Sequence, residues 1–73
     1  MTEAPIVVHR PLACGGRHVT VHGQPIGLAH SDRDLVEFLR RAGIEETDAE
    51  AMVDGDSPEI EWQGGQAHRY ATA

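Results

Sequence analysis

The stretch SDRDLVEFLRRAG, residues 31–43, constrains the fold most strongly, because it has the pattern of an amphipathic helix with both ends marked. Ser31 can cap the first turn, and Gly43 can end the last one. The apolar residues recur at the i, i+3, i+4, i+7 spacing of one helical face: Leu35, Phe38, Leu39 and Ala42. We therefore expect one main helix lying on an apolar core.

Strands precede this helix. Val19 and Val21 alternate with polar residues in RHVTV, which is the period-2 pattern of a half-buried strand. The turn HGQP follows, and its Pro25 has no N–H to donate in a tight closing pair. We therefore predict a four-residue loop closed by Val21 opposite Ile26, with Val19 opposite Leu28 on the same face.

The C-terminal stretch IEWQGGQAHRY, residues 60–70, predicts a second hairpin. A three-residue loop over residues 64–66 keeps the aromatic side chains on one face and sets opposite charges together on the other. The predicted pairs are Ile60 with Tyr70, Glu61 with Arg69, and Trp62 with His68. We therefore expect these aromatic residues to fill the core and not to form the walls of a binding site.

A weaker helical pattern lies between these regions in TDAEAMVDG. Thr47 and Glu50 match a capping box, and Gly55 can terminate the helix. Because only Met52 and Val53 offer apolar anchorage, we expect a short helix or a helical turn.

These elements predict a single small α+β domain over residues 1–73, a length that supports one core. We expect a small antiparallel sheet, made of two hairpins plus the short N-terminal strand IVVH, packed on one main helix. The expected core residues are Val19, Val21, Ile26, Leu28, Leu35, Phe38, Leu39, Ile60 and Trp62.

The formal net charge of −6 is concentrated in residues 45–61, which carry eight acids and no base. Because a surface with this much negative charge repels the phosphate groups of DNA and RNA, we do not expect direct nucleic-acid binding. A run of like charge is most often a solvated face, but it can also dock a basic protein partner. The candidate partner-binding residues are Glu45, Glu46, Asp48, Glu50, Asp54 and Asp56.

An alternative function is that of a small metal- or ligand-binding protein using Cys14 and the five histidines, which are His9, His18, His22, His30 and His68. The spacing of His18 and His22 matches a zinc motif, but on a strand the two lie roughly 13 Å apart. Cys14 has no evident helix N-terminus to activate it. We therefore predict no metal, no cofactor and no catalytic residue, and we do not expect an enzyme.

No stretch approaches the ~18–20 apolar residues of a membrane span, and the start MTEAPIVVHRP has an acid where a secretory signal carries basic charge. The single cysteine excludes an intramolecular disulfide. These features favour a cytoplasmic protein, with no membrane contact, as a monomer or weak homodimer.

The combination of GLAHSDRDLVEFLRRAGI, an acidic spacer, DSPEIEW and GG resembles small uncharacterised proteins of high-G+C Gram-positive bacteria over about residues 17–65. The chain has no lysine or asparagine, whose codons are A-rich, which agrees with such a genome. The resemblance implies no activity and no site residue. The function favoured by the sequence is a non-enzymatic acidic protein-interaction or regulatory module.

Overall fold

A computed structural model describes residues 5–71. Its elements in chain order are β1 (Ile6–Val8), β2 (Arg17–Val21), β3 (Gln24–Ala29), α1 (Asp32–Arg41), α2 (Glu46–Asp54) and β4 (Ile60–Trp62). The strands form one sheet in the order β3-β2-β1-β4. The α+β class is confirmed, but the sheet is mixed because β4 runs parallel to β1, and two helices are present where one main helix was predicted.

The predicted C-terminal hairpin is wrong. Ile60 lies opposite Ile6 and Trp62 opposite Val8, so β4 pairs with the N-terminal strand and not with residues that follow it. Residues 63–71, here called the C-terminal segment, contain no strand. Alternation along β4 indicates which side chains point inward, but it does not indicate which strand lies alongside.

The turn between β2 and β3 is tighter than predicted. Val21 lies opposite Gln24, which leaves His22 and Gly23 as a two-residue loop. Both loop residues have positive φ, 51° and 81°, as a type I′ turn requires. This turn matches the twist of the two strands, and histidine is among the residues that tolerate the left-handed region.

A β-bulge at Ile26 accommodates the proline. Thr20 lies opposite Pro25 and Val19 opposite Gly27, so Ile26 is the additional residue. The bulge shifts the register by one position beyond the turn. The predicted pair of Val21 with Ile26 is therefore wrong because the tight turn sets Val21 opposite Gln24, and the predicted pair of Val19 with Leu28 is wrong because Val19 lies opposite Gly27.

The main helix matches its sequence signals at both ends. The Ser31 hydroxyl accepts the N–H of Asp34 at 3.3 Å, and the Asp34 carboxylate accepts the N–H of His30 at 2.9 Å. At the other end Gly43, with φ of 101°, and Ile44 donate their N–H groups back to carbonyls of the last turn. These two bonds form a Schellman motif, so the predicted stop at Gly43 is confirmed.

The second helix begins earlier than predicted. Its N-cap is Glu45, which makes no side-chain capping bond, so the predicted capping box of Thr47 and Glu50 is wrong. Ala49 and Val53 are fully buried and anchor the helix. Burial of these two residues therefore anchors a helix whose first turn has no side-chain cap.

The core lies between one face of the sheet and the helices. Its buried apolar residues are Ile6, Val8, Val19, Val21, Ala29, Leu35, Leu39, Ala49, Val53, Ile60 and Tyr70. Ile26, Phe38 and Trp62 are partly buried against it. The prediction of Leu28 as a core residue is wrong, because the bulge places it opposite His18 on the other face of the sheet. Ala42, the last residue of the predicted apolar face of α1, is exposed. Neither described helix is long and apolar enough to cross a membrane.

Candidate functional site

The six candidate partner-binding residues all lie at the surface, on or beside α2. Glu45 stands at the N-cap position of the helix without making a capping bond, and Glu46, Asp48, Glu50 and Asp54 lie on the helix itself. Asp56 follows in a turn with φ of 53°. The acidic residues that are concentrated in the sequence therefore form a negatively charged surface on and beside α2. The six carboxylates differ, however, in the groups that surround them.

Toward α1 the acids meet arginines. Arg40 lies 2.9 Å from the Glu37 carboxylate and 3.6 Å from that of Glu46. Glu50 faces the same shallow depression, which Arg33 also lines. Because these pairs are exposed they add little stability, but they partly neutralise this side of α2.

On the other side of α2 a groove separates the helix from the end of the sheet where β1 begins and β2 ends. The α2 groove has a volume of about 700 Å³. Its apolar lining includes Ile6 and Val21 from the sheet and Ile44 and Met52 from the helical region. The polar and remaining lining residues are Pro5, His22, Asp48, Ala51, Gly55, Ser57, Pro58 and Glu59. An apolar floor bordered by carboxylates suits an amphipathic, positively charged ligand.

A separate cluster of titratable groups surrounds His68. Its Nδ1 lies 2.8 Å from Asp32 Oδ2, and its Nε2 lies 2.6 Å from Asp56 Oδ1. The Tyr70 hydroxyl donates to the other oxygen of Asp32 at 2.7 Å. The Trp62 ring lies against both, with centroid distances of 5.1 Å to His68 and 6.0 Å to Tyr70.

The geometry of the His68 cluster fits the charged imidazolium. The hydrogen bonds to Asp32 and then Asp56 raise the pKa of His68 above 6.5. With both ring nitrogens donating, no nitrogen is left to accept a proton from a substrate. Burial, followed by the bond to Asp32, raises the pKa of Tyr70 far above its usual range, so the phenol stays protonated. The cluster is therefore built to hold the C-terminal segment in place and not to carry out general base catalysis.

Arg17 binds the C-terminal segment from the interior of the protein. Its side chain is fully buried, and its guanidinium donates to backbone carbonyls of Gln63 at 2.7 Å, Arg69 at 2.8 Å and Gln66 at 2.9 Å. It also donates to His9 at 2.7 Å, while its carbon Cζ lies 5.3 Å from the centre of the Trp62 ring. Burial lowers the pKa of Arg17, but the guanidinium remains charged at neutral pH because the usual pKa of arginine lies far above it.

Neither the buried role of Arg17 nor the cluster around His68 was predicted from the sequence. A signal for Arg17 was present, because it precedes Val19 and Val21 at the same two-residue period and so belongs to the inward face of β2. His68 offered no such signal. Its partners Asp32 and Asp56 lie 36 and 12 residues away in the chain, and only the fold brings them together.

The remaining histidines and the cysteine are distributed over the surface. His9 Nε2 lies 3.0 Å from the hydroxyl of Thr20, and the exposed Cys14 thiol has only a weak contact with the Gly15 carbonyl at 3.8 Å. Within residues 5–71, no three histidine, cysteine or acidic side chains are arranged to hold a metal ion.

The raised pKa of His68 predicts a specific pH dependence of stability. The contribution of the charged cluster is fully present below the ordinary histidine pKa of 6.5 and is lost as the pH rises through the higher folded value. We expect the stability difference between wild type and His68→Gln to shrink from pH 6 to pH 9. Because the side chain is one-third exposed, the change should be no more than about 1 kcal/mol.

Urea unfolding across this pH range measures the difference directly. His18→Gln is the matched control, since His18 is exposed on the outer face of the sheet. A His68→Gln difference that is constant with pH would contradict a charged His68.

Comparisons of the chain with protein-family models, with curated proteins and with solved structures each gave no significant match.

Proposed function

We propose that this protein is a small, non-enzymatic interaction module that binds a basic protein partner through α2 and the α2 groove. The observation that carries the proposal is the position of an apolar groove directly beside the most acidic helix surface. Met52 and Ile44 offer apolar contact in the groove, and Asp48 and Glu59 stand at its border. Such a surface combines short-range packing with long-range attraction.

The partner surface we propose is an amphipathic segment with arginine or lysine on one side and apolar residues on the other. The apolar side chains would enter the groove, because burial of apolar area supplies most of the binding free energy. The basic side chains would meet the exposed carboxylates of α2, which steer the encounter and raise the association rate. The same charge disfavours nucleic acid as a direct ligand.

The acids contribute unequally in this proposal. Asp48 borders the groove, and Asp54 is exposed near the end of α2. Glu46 lies near Arg40, and Asp56 is bonded to His68, so both are partly neutralised by groups of the protein itself. Glu45 and Glu50 add to the field at longer range. We also propose that the protein acts in the cytoplasm, as a monomer or weak homodimer.

A synthetic peptide tests the proposal before any natural partner is known. The peptide alternates leucine and arginine, and its binding is followed by NMR of the Met52 and Ile44 methyl groups at low and high salt. A leucine–glutamate peptide of equal length tests the charge requirement, and a serine–arginine peptide tests the apolar requirement. We expect saturable shifts with the leucine–arginine peptide alone.

A charge-reversal variant of the protein tests the role of the acids. It replaces Asp48, Glu50 and Asp54 by lysine and leaves Asp56 in place, so that the bond between Asp56 and His68 is kept. We expect association to slow by about tenfold or more at low salt and its salt dependence to flatten. Glu61→Lys on the outer face of β4 is the control and should change the rate little. Unchanged association of the folded triple variant would overturn the proposal.

A further inference from the structure

The glycine pair Gly64 and Gly65 forms one wall of a small cleft beyond the carboxyl ends of β1 and β4. The cleft has a volume of about 390 Å³ and is lined also by Arg10, Pro11, Gln66, Arg69 and Ala71. No acidic residue lines it. On a chain with a net charge of −6, a cleft with two arginines and no acid is a local reversal of charge.

The two arginines of the cleft are available to a ligand. Both are exposed, and neither Arg10 nor Arg69 forms an ion pair with any residue between 5 and 71. By contrast, Arg40 and Arg41 on α1 both lie close to Glu37. With respect to residues 5–71, no carboxylate therefore pairs with the guanidinium groups of the cleft, and their planar sets of donors suit a ligand with matching acceptors.

The glycines let the loop close over this site. A Cβ at Gly64, where φ is 70°, would lie 2.7 Å from Arg10 Nε, and one at Gly65 would lie 3.4 Å from the Pro11 ring and 3.5 Å from Arg17 Nη1. The Arg10 side chain thus lies directly across the Gly64 backbone. A larger residue at Gly64 would crowd the cleft, whereas a Cβ at Gly65 would make only ordinary van der Waals contacts.

Buried Arg17 also orients the peptide units of the loop. It draws the carbonyl of Gln63 toward itself at 2.7 Å. In a planar trans peptide the N–H of the next residue points away from that carbonyl, so the N–H of Gly64 is directed away from Arg17. Among the described residues, the N–H groups of Gly64, Gly65 and Gln66 have no backbone acceptor. Successive free N–H groups in a loop form a favourable environment for an anion.

We propose that this cleft, here called the Arg10–Arg69 cleft, is a binding site for an oxyanion, the phosphate or carboxylate group of a small molecule. Arg10 and Arg69 bind the oxygens through charge-assisted hydrogen bonds, and the backbone of Gly64 and Gly65 contributes N–H donors. This site is independent of the proposed partner surface on α2.

The test is a titration of the isotope-labelled protein with inorganic phosphate and, separately, with succinate, at constant ionic strength maintained with sodium chloride. We expect saturable shifts of the amide signals of Gly64 and Gly65 with at least one of the two anions, and the tighter one identifies the ligand class. Equal shifts with chloride alone would overturn the proposal.

Variants locate the binding. Arg10→Gln and Arg69→Gln should each weaken binding about tenfold, as expected for loss of a charge-assisted hydrogen bond. Arg33→Gln, a substitution on exposed α1, should change the affinity less than twofold.

A further variant separates binding from folding. Arg10→Lys keeps the positive charge but loses the paired donors, so an intermediate loss is expected while the amide spectrum stays folded. Binding that survives both glutamine substitutions would overturn the proposal.

Discussion

Replacing Arg17 by methionine is expected to lower the free energy of unfolding by about 3–5 kcal/mol, because each buried acceptor that is left without a donor costs about 1–3 kcal/mol. Methionine fills a similar volume but donates no hydrogen bond. The carbonyls of His9, Gln63, Gln66 and Arg69 would lose their guanidinium donor. A domain of this size has little stability to lose, so much of the population should unfold at ordinary temperature.

Urea unfolding followed by the fluorescence of Trp62 measures this effect, because the guanidinium lies against that ring. Arg17→Lys separates charge from geometry, since lysine keeps the charge but has three donors at one point in place of a planar fork. We expect the lysine variant to lose more than half as much stability as the methionine variant. Arg33→Met, an exposed substitution on α1, is the control. A loss below about 1 kcal/mol in Arg17→Met would show that water replaces the guanidinium without cost.

Leu35→Ala is expected to cost about 2–5 kcal/mol, which is the range for removing a fully buried leucine side chain. Leu35 lies on the inner face of α1, where it is completely shielded from solvent. Loss of its side chain leaves a cavity that the surrounding strands can fill only partly. Chemical unfolding measured by circular dichroism provides the comparison with wild type.

Leu28→Ala is the informative counterpart, because the β-bulge places Leu28 opposite His18 on the outer face of the sheet. A partly exposed leucine on an uncovered face should cost less than about 1 kcal/mol when truncated. Equal losses in the two variants would mean that Leu28 lies in the core and that the register of β3 is the one predicted from alternation.

The elements that follow from local chemistry were predictable. The start of α1 at Ser31 and its stop at Gly43 depend on capping groups within a few residues, and the structure has both. The inward direction of Val19 and Val21 depends only on alternation, and both are buried. In each case the residues that decide the structure are neighbours in the sequence, so the pattern contains the necessary information.

Predictions that needed a distant partner were less successful. Ile60 and Trp62 were assigned to a local hairpin because Tyr70 and His68 follow at a suitable spacing, but they pair with Ile6 and Val8. The alternation of apolar and polar residues indicates which face of the sheet each side chain occupies, but it does not indicate which strand is the neighbour. The buried Arg17 guanidinium binds three backbone carbonyls of the C-terminal segment, which favours an irregular segment over a β-strand. These carbonyls lie 46 to 52 residues from Arg17 in the chain, so a pattern of neighbouring residues does not predict the contact.

The candidate sites divide in the same way. Eight acids without a base in residues 45–61 marked one surface as acidic, and exposure of all six candidate residues agrees with that pattern. The sequence did not reveal that Glu46 approaches Arg40, that Asp56 binds His68, or that Asp48 borders an apolar groove. Each of these depends on how α2 packs against its surroundings.

By itself, the sequence determined the α+β class, the main helix with both its ends, the inward face of β2 and the location of the excess negative charge. These properties arise from side-chain periodicity, capping and composition, which act within a few residues. Only the tertiary structure decided that β4 joins β1 in parallel, that His68 lies between Asp32 and Asp56, and that Arg10 and Arg69 line one cleft. These arrangements join residues far apart in the chain, and their free energy depends on burial and hydrogen bonding that exist only after the chain has folded.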